Sequence, residues 1–135
     1  MYKALSFLPL KNQSVRCKVC QRNCHIAEGK VGDCLTKINQ KGILYSLNYG
    51  LIQGIQIDPI EKKPFYHFHP GEMVPSFGSY GCNFQCKQCL NSWCSWTEPA
   101  RSTLERLAKG AKNTITPPEE LIEQVVSLGH RGIAF

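Results

Sequence analysis

Residues 74–94 read "VPSFGSYGCNFQCKQCLNSWC". Val74–Phe77 has the apolar, β-prone character of a short strand. Pro75 is expected at its entrance, because proline cannot donate within a sheet ladder. Gly78 and Gly81 then break the strand and let backbone come close where a side chain would collide. Cys82, Cys86 and Cys89 follow at spacings of three and two residues, with Cys94 just beyond. A strand that runs into a chemistry-bearing loop, then helix, then strand, is the repeat of a parallel sheet or barrel.

The downstream sequence supplies the rest of that repeat. Ser102 and Glu105 form a capping-box pair ahead of "LERLAK", with Gly110 as the stop. Thr116 and Glu119 repeat the device, and Pro117 takes a first-turn position where its missing N–H costs nothing. Leu121, Ile122, Val125, Val126 and Leu128 are expected on one helical face that Gly129 ends. "RGIAF" begins a further strand. Two parallel strands and one main helix close no barrel, so the sequence reads as the front portion of a longer protein.

Upstream lies a second set of thiols, Cys17, Cys20, Cys24 and Cys34, in "CKVCQRNCHIAEGKVGDC". Gly29 and Gly32 allow the chain to return and deliver the fourth cysteine. Four sulfurs suit tetrahedral zinc, and a second iron–sulfur cluster is the rival, because the same ligands serve both. His25 adjoins Cys24 and is expected on the solvent side. Arg16, Lys18, Arg22 and Lys30 surround the knuckle and read as a solvated charged face. Between the two sets, "GILYSLNYGLIQGIQID" reads as two short strands, a hairpin or a flap. "DPIEKKPFYHFHPGE" follows an extended, turning path set by its prolines.

Bulk properties bound these readings. The chain has 135 residues, 42% apolar and 19% charged, the composition of a globular protein. No apolar run is long enough for a membrane span, and the first residues lack a small-residue cleavage site. A cytoplasmic, reducing location is therefore expected, where eight cysteines point to metal ligation rather than disulfides. The net charge of +6 counts every thiol as neutral and would shrink on ligation, too mild a balance to call for a nucleic-acid partner.

Three thiolates on a [4Fe–4S] cube leave one iron open to chelate a substrate or cofactor. "GCNFQCKQC" carries the CxxxCxxC pattern of radical S-adenosylmethionine (SAM) enzymes. Together with "DPIEKKPFYHFHPGE" and "CKVCQRNCHIAEGKVGDC", the chain resembles the radical SAM enzymes of the AmmeMemoRadiSam system, which are similar to pyruvate formate-lyase activating enzymes. Gln88 stands where that family often has an aromatic residue, and Leu90 where the branch usually has glutamine.

The resemblance implies an α/β fold: the start of a partial, TIM-like (β/α) barrel at residues 71–135. A small, cysteine-rich, β-containing module at residues 1–70 would precede it. It also implies that Cys82, Cys86 and Cys89 hold a [4Fe–4S] cluster whose open iron binds SAM. One electron would then break a carbon–sulfur bond to give a 5′-deoxyadenosyl radical. Cys17, Cys20, Cys24 and Cys34 would hold zinc or the second cluster. The implied partners are an electron donor such as flavodoxin or ferredoxin, together with Memo-like and AMME-domain proteins. The competing reading is a non-catalytic zinc-binding interaction module with two structural four-cysteine sites, the second using Cys82, Cys86, Cys89 and Cys94.

Weaker candidates are His67 and His69, which an extended strand would point the same way. Lys62 and Lys63 could contact an anion, Asp58 and Glu61 are not spaced as a demonstrable acid–base pair, and Trp93 and Trp96 could line a pocket or pack the loop.

Overall fold

The structure is a computed structural model that describes residues 1–135. It is a mixed α/β chain with three small sheets and three helices. Two compact units are present, each assembled from two stretches: Met1–Tyr49 with Tyr80–Asn113, and Gly50–Ser79 with Thr114–Phe135. Residue 70 lies within the second of them.

In the first unit, β1 (Tyr2–Lys3), β6 (Ile43–Ser46) and β5 (Lys37–Gln40) form one antiparallel sheet in that spatial order. The strands β2 (Phe7–Pro9), β3 (Val15–Cys17) and β4 (His25–Ile26) form another. β5 and β6 are a tight hairpin in which Gln40 faces Ile43 across a two-residue turn. Lys41 and Gly42 both have positive φ, 52° and 76°, the twist that a primed hairpin turn needs. β6 was legible as a strand from its Ile, Leu and Tyr. Its partner β5, "KINQ", is too polar to announce itself.

Ala4, Val15, Cys17, Ile26 and Leu44 make one core cluster, against which Phe7 and Cys24 pack. Asn39 is completely buried beside it, and every polar atom of its side chain is used. Its Nδ2 donates to the Gln13 carbonyl at 2.8 Å and the Ile26 carbonyl at 2.9 Å, while its Oδ1 accepts from Gly42 N–H at 3.0 Å. One amide thus ties the turn end of the hairpin to the neighbouring sheet.

The second stretch of this unit adds α1 (Ser92–Ser95) and α2 (Glu98–Ala108). The expected capping box at Ser102 and Glu105 lies inside a helix already under way. Glu98 in the first turn complements the helix dipole, and Pro99 loses no hydrogen bond there, so "TEP" is the stronger start. Thr97 precedes the helix with extended backbone, but its Oγ1 donates to Ser92 O at 2.9 Å rather than capping. The expected stop is met. Gly110 has φ 91° and donates to Leu107 O, while Ala111 donates to Arg106 O, a Schellman closure. Ala100 and Leu104 form the buried face of α2, and Leu104 packs with Ile38 and Leu47.

In the second unit, β7 (Ile55–Pro59) and β8 (Met73–Phe77) pair antiparallel, from Ile55 opposite Phe77 to Pro59 opposite Met73. The two strands expected in 43–58 both exist, but they pair with other strands rather than with each other. On its other edge β8 meets Ala134 in a parallel bridge. Ala134 N–H donates to Pro75 O at 2.9 Å, and Phe77 N–H donates to Ala134 O at 3.1 Å. Pro75 therefore sits in mid-strand rather than at the entrance. Its carbonyl points to Ala134, so its nitrogen points that way too, and β7 loses no donor.

α3 (Pro118–Ser127) closes as expected, with Gly129 at φ 80° donating to Val126 O and His130 donating to Val125 O. Of its five expected core residues, Leu121 and Val125 are buried, whereas Ile122, Val126 and Leu128 are exposed. Residues four apart share one face, and their immediate neighbours are turned about 100° away from it.

Candidate metal centre

β3 delivers Cys17 into the core, and Cys17 N–H donates to Cys24 O at 2.9 Å, which closes the base of the knuckle. Between them Asn23 takes a left-handed φ of 48° and donates to Cys20 O, turning the chain back into β4. Gly29, φ 72°, and the Gly32–Leu35 turn then return Cys34 to the same place. Cys17, Cys20, Cys24 and Cys34 consequently line one cavity of about 320 Å³. A fifth thiol lines it as well, that of Cys82.

Three of the basic residues around the knuckle, Arg16, Lys18 and Arg22, make hydrogen bonds, while Lys18, Arg22 and Lys30 face solvent as expected. Arg22 Nε donates to Asn83 O at 2.5 Å, and its guanidinium lies 3.5 Å from Asp33. Lys18 Nζ donates to Asn23 Oδ1 at 2.9 Å, and an Arg16 nitrogen donates to Asn23 O at 3.4 Å. Arg22 and Lys37 also line the cavity. Composition offered no sign that Arg22 reaches across sixty residues of sequence to the residue after Cys82.

Burial pushes the Cys24 thiol above its ordinary pKa. A backbone N–H of Asp33 opposes this, and the Asp33 carboxylate and Cys34 thiol reinforce it. A cation at this position would have to displace that proton, so binding and proton release are coupled. Cys34 Sγ lies 3.1 Å from Thr36 Oγ1, a polar contact of the kind that tunes a sulfur ligand.

The loop bearing Cys82 is pinned by Gly81, whose φ is 91°. A Cβ there would stand 2.1 Å from Thr36 Cγ2 and 2.8 Å from the Cys34 carbonyl oxygen, so the two cysteine segments touch backbone to backbone. Gly81 N–H donates to Cys94 O at 2.9 Å, and Asn48 Nδ2 donates to Tyr80 O at 3.1 Å. Beyond Cys82 the loop is open. Cys86 is exposed, Cys89 is half-buried, and Cys89 N–H donates to Cys86 O in a turn. Neither lines the cavity. Cys94 lies within α1, and its Sγ donates to Asn91 O at 3.2 Å.

All eight cysteines are free thiols. No three Cys, His, Asp or Glu side chains close on a single ion-sized point. The donor chemistry nonetheless suits soft or iron–sulfur ligation, since thiols are gathered around one cavity and along one loop with no disulfide consuming them.

The weaker candidates are accounted for elsewhere. His67 and His69 lie in turns rather than an extended strand, and His69 has φ 47° with Nδ1 3.6 Å from Glu72. Lys62 pairs with Asp58 at 2.6 Å, and Glu61 accepts Gly71 N–H at 2.6 Å, so all three brace the segment after β7. Trp93 and Trp96 do not line the cavity. Arg101 Nε donates to Trp96 O, fixing the α1–α2 corner.

No helix is long and apolar enough to cross a membrane. No family model matches the chain, and no solved structure matches it. Over all 135 residues it is 36% identical to the uncharacterized protein MJ0808 of Methanocaldococcus jannaschii, and it spans 38% of that protein's length.

Proposed function

We propose that the chain is the cluster-binding front of a radical SAM enzyme similar to pyruvate formate-lyase activating enzymes, with β8 and the Ala134 segment as the first strands of a partial (β/α) barrel. The observation that supports this is the CxxxCxxC loop itself. It follows a strand bridged in parallel to another that comes after a helix, and its thiols are free. Cys82, Cys86 and Cys89 would supply three thiolates. The chemistry such a cluster would supply, when bound, is the one-electron cleavage of a SAM carbon–sulfur bond that yields methionine and a 5′-deoxyadenosyl radical. The chain's own contribution is to fix the loop. Gly81 packs it against Cys34 and Thr36, and Arg22 holds Asn83. A low-potential donor such as flavodoxin or ferredoxin would be the partner.

The experiment is anaerobic reconstitution of the chain with iron and sulfide. Brown protein is expected, with a reduced-state paramagnetic signal that shifts when SAM is added. Cys86→Ala should abolish the SAM-sensitive signal. The rival is a zinc-binding interaction module, for which Cys94 would supply the fourth sulfur of the loop site. It requires colourless protein with zinc at that loop and no response to SAM.

A further inference from the structure

The charge of the chain is unevenly placed. Met1–Tyr49 holds eight lysines and arginines against two carboxylates, Glu28 and Asp33, so the whole net charge of +6 falls in this stretch. Metal ligation by its four thiols would lower that figure without reversing it. Glu28 accepts Lys41 N–H, and Asp33 lies beside Arg22, so neither carboxylate neutralises the remaining lysines.

Part of the excess gathers in one shallow cleft beside β1. Lys3, Lys18 and Lys37 line it, and no acidic residue does. None of the three is paired with a carboxylate: Lys18 Nζ donates to Asn23 Oδ1, and Lys37 Nζ donates to the hydroxyls of Thr36 and Ser46. Backbone fixes the frame, because Ala4 N–H donates to Leu44 O and Lys18 N–H donates to Ser6 O. Among the lysines stand Leu5, 94% exposed, and Val19, 54% exposed. An apolar centre with a charged rim fits a protein of opposite charge. A nucleic acid would instead want free ring faces for its bases, and here Tyr2 and Tyr49 stack on each other with centroids 3.9 Å apart.

Val19 and Lys37 line this cleft and also the cavity that Cys82 lines, so a partner seated in the cleft shares a wall with that cavity. We propose that the cleft is the docking face for the electron carrier, a small protein whose redox group is set in an acidic surface. Redox encounters of this kind bury little area and are steered by charge, which matches a shallow cationic cleft. The docked carrier gives one electron to the loop centre and leaves oxidised by one, with no other reactant consumed. The carrier's role rests on the function proposed above; the charge and shape of the cleft do not.

The test titrates the anaerobically reconstituted 135-residue chain with an oxidised flavodoxin of net negative charge, followed by calorimetry. The intact chain should bind, and raising the salt from about 50 to about 200 mM should weaken binding. Lys3→Glu combined with Lys18→Glu should weaken it by about tenfold or more and flatten the salt dependence. Because Lys18 also braces the knuckle, Leu5→Asp is the second variant; it alters an exposed side chain outside the core and should weaken binding as well. Lys109→Glu combined with Lys112→Glu makes the same change in net charge outside the cleft, on the same unit, and should alter binding by less than about twofold. Equal weakening by the two double variants would reduce the effect to overall charge and overturn the docking face. A flavodoxin that binds every variant alike, or fails to bind the intact chain, would overturn it too. A single-stranded oligoribonucleotide that binds more tightly than flavodoxin, and through the same lysines, would overturn it in favour of nucleic acid. A SAM-sensitive signal with binding indifferent to the cleft variants would sink the docking face and leave the proposed function standing. Cleft-dependent binding by a chain whose signal ignores SAM would sink the proposed function and sustain the docking face.

Discussion

Replacing Gly81 with alanine isolates the contact between the two cysteine segments. At φ 91° any residue with a Cβ pays roughly 1–2 kcal/mol for left-handed backbone. The added carbon would also stand 2.1 Å from Thr36 Cγ2, 2.8 Å from Cys34 O and 3.4 Å from Leu104 Cδ1. Thr36 is buried, and its Oγ1 is engaged by Cys34 and Lys37, while the Cys34 oxygen is backbone. Neither yields cheaply, so the overlap adds about 1–3 kcal/mol. Gly110 provides the control, because it has the same φ of 91°, lies in the same unit and would place an added Cβ in open space, with no atom within 4 Å. Gly110→Ala should cost only the backbone term. Urea unfolding followed by the fluorescence of Trp93 and Trp96 should therefore place Gly81→Ala about 2 kcal/mol below Gly110→Ala. Thr36→Ser removes the Cγ2 carbon and should recover part, but not all, of that gap in a double-mutant cycle. Equal stabilities for the two alanine variants would refute the close approach and, with it, the joined site.

Three further outcomes are expected. Asn39→Ala leaves the buried Ile26 carbonyl and the part-buried Gln13 carbonyl without their donor, so urea unfolding should show a loss of about 1–3 kcal/mol; no loss would mean that water replaces the amide. Leu104→Ala, at a residue 1% exposed, should cost about 2–5 kcal/mol, while Leu90→Ala, at a residue 94% exposed, should be neutral in the same assay. In the metal-free chain, alkylation mapped by mass spectrometry should modify exposed Cys86 first and buried Cys17 last; early loss of Cys17 would contradict its place in the core.

The elements written in glycine were the most legible. Gly110 and Gly129 end helices where the sequence says they should, because a residue at positive φ past the last turn has few substitutes. The start of α2 was missed because two acceptable caps compete, and the proline nearer the loop wins. β5 was hidden because its stability comes from the Lys41–Gly42 turn and from the burial of Asn39, neither of which is an apolar alternation. At the candidate site, spacing grouped the thiols into two sets, and the cavity redraws that grouping by taking Cys82 in with the N-terminal four. Short-range spacing cannot report a hydrogen bond such as that from Arg22 to Asn83. That link exists only once the chain has folded back.

The interleaving of the two units sets an order of events during synthesis. Ile38 and Leu47 leave the ribosome long before Leu104, the residue that covers them, because Gly50–Ser79 must be made in between. The early thiols are therefore translated into a half-built shelter, and a nascent chain would keep them reachable by reductants and metal carriers until Gly81, Cys82 and Asn83 arrive to complete the wall of their cavity.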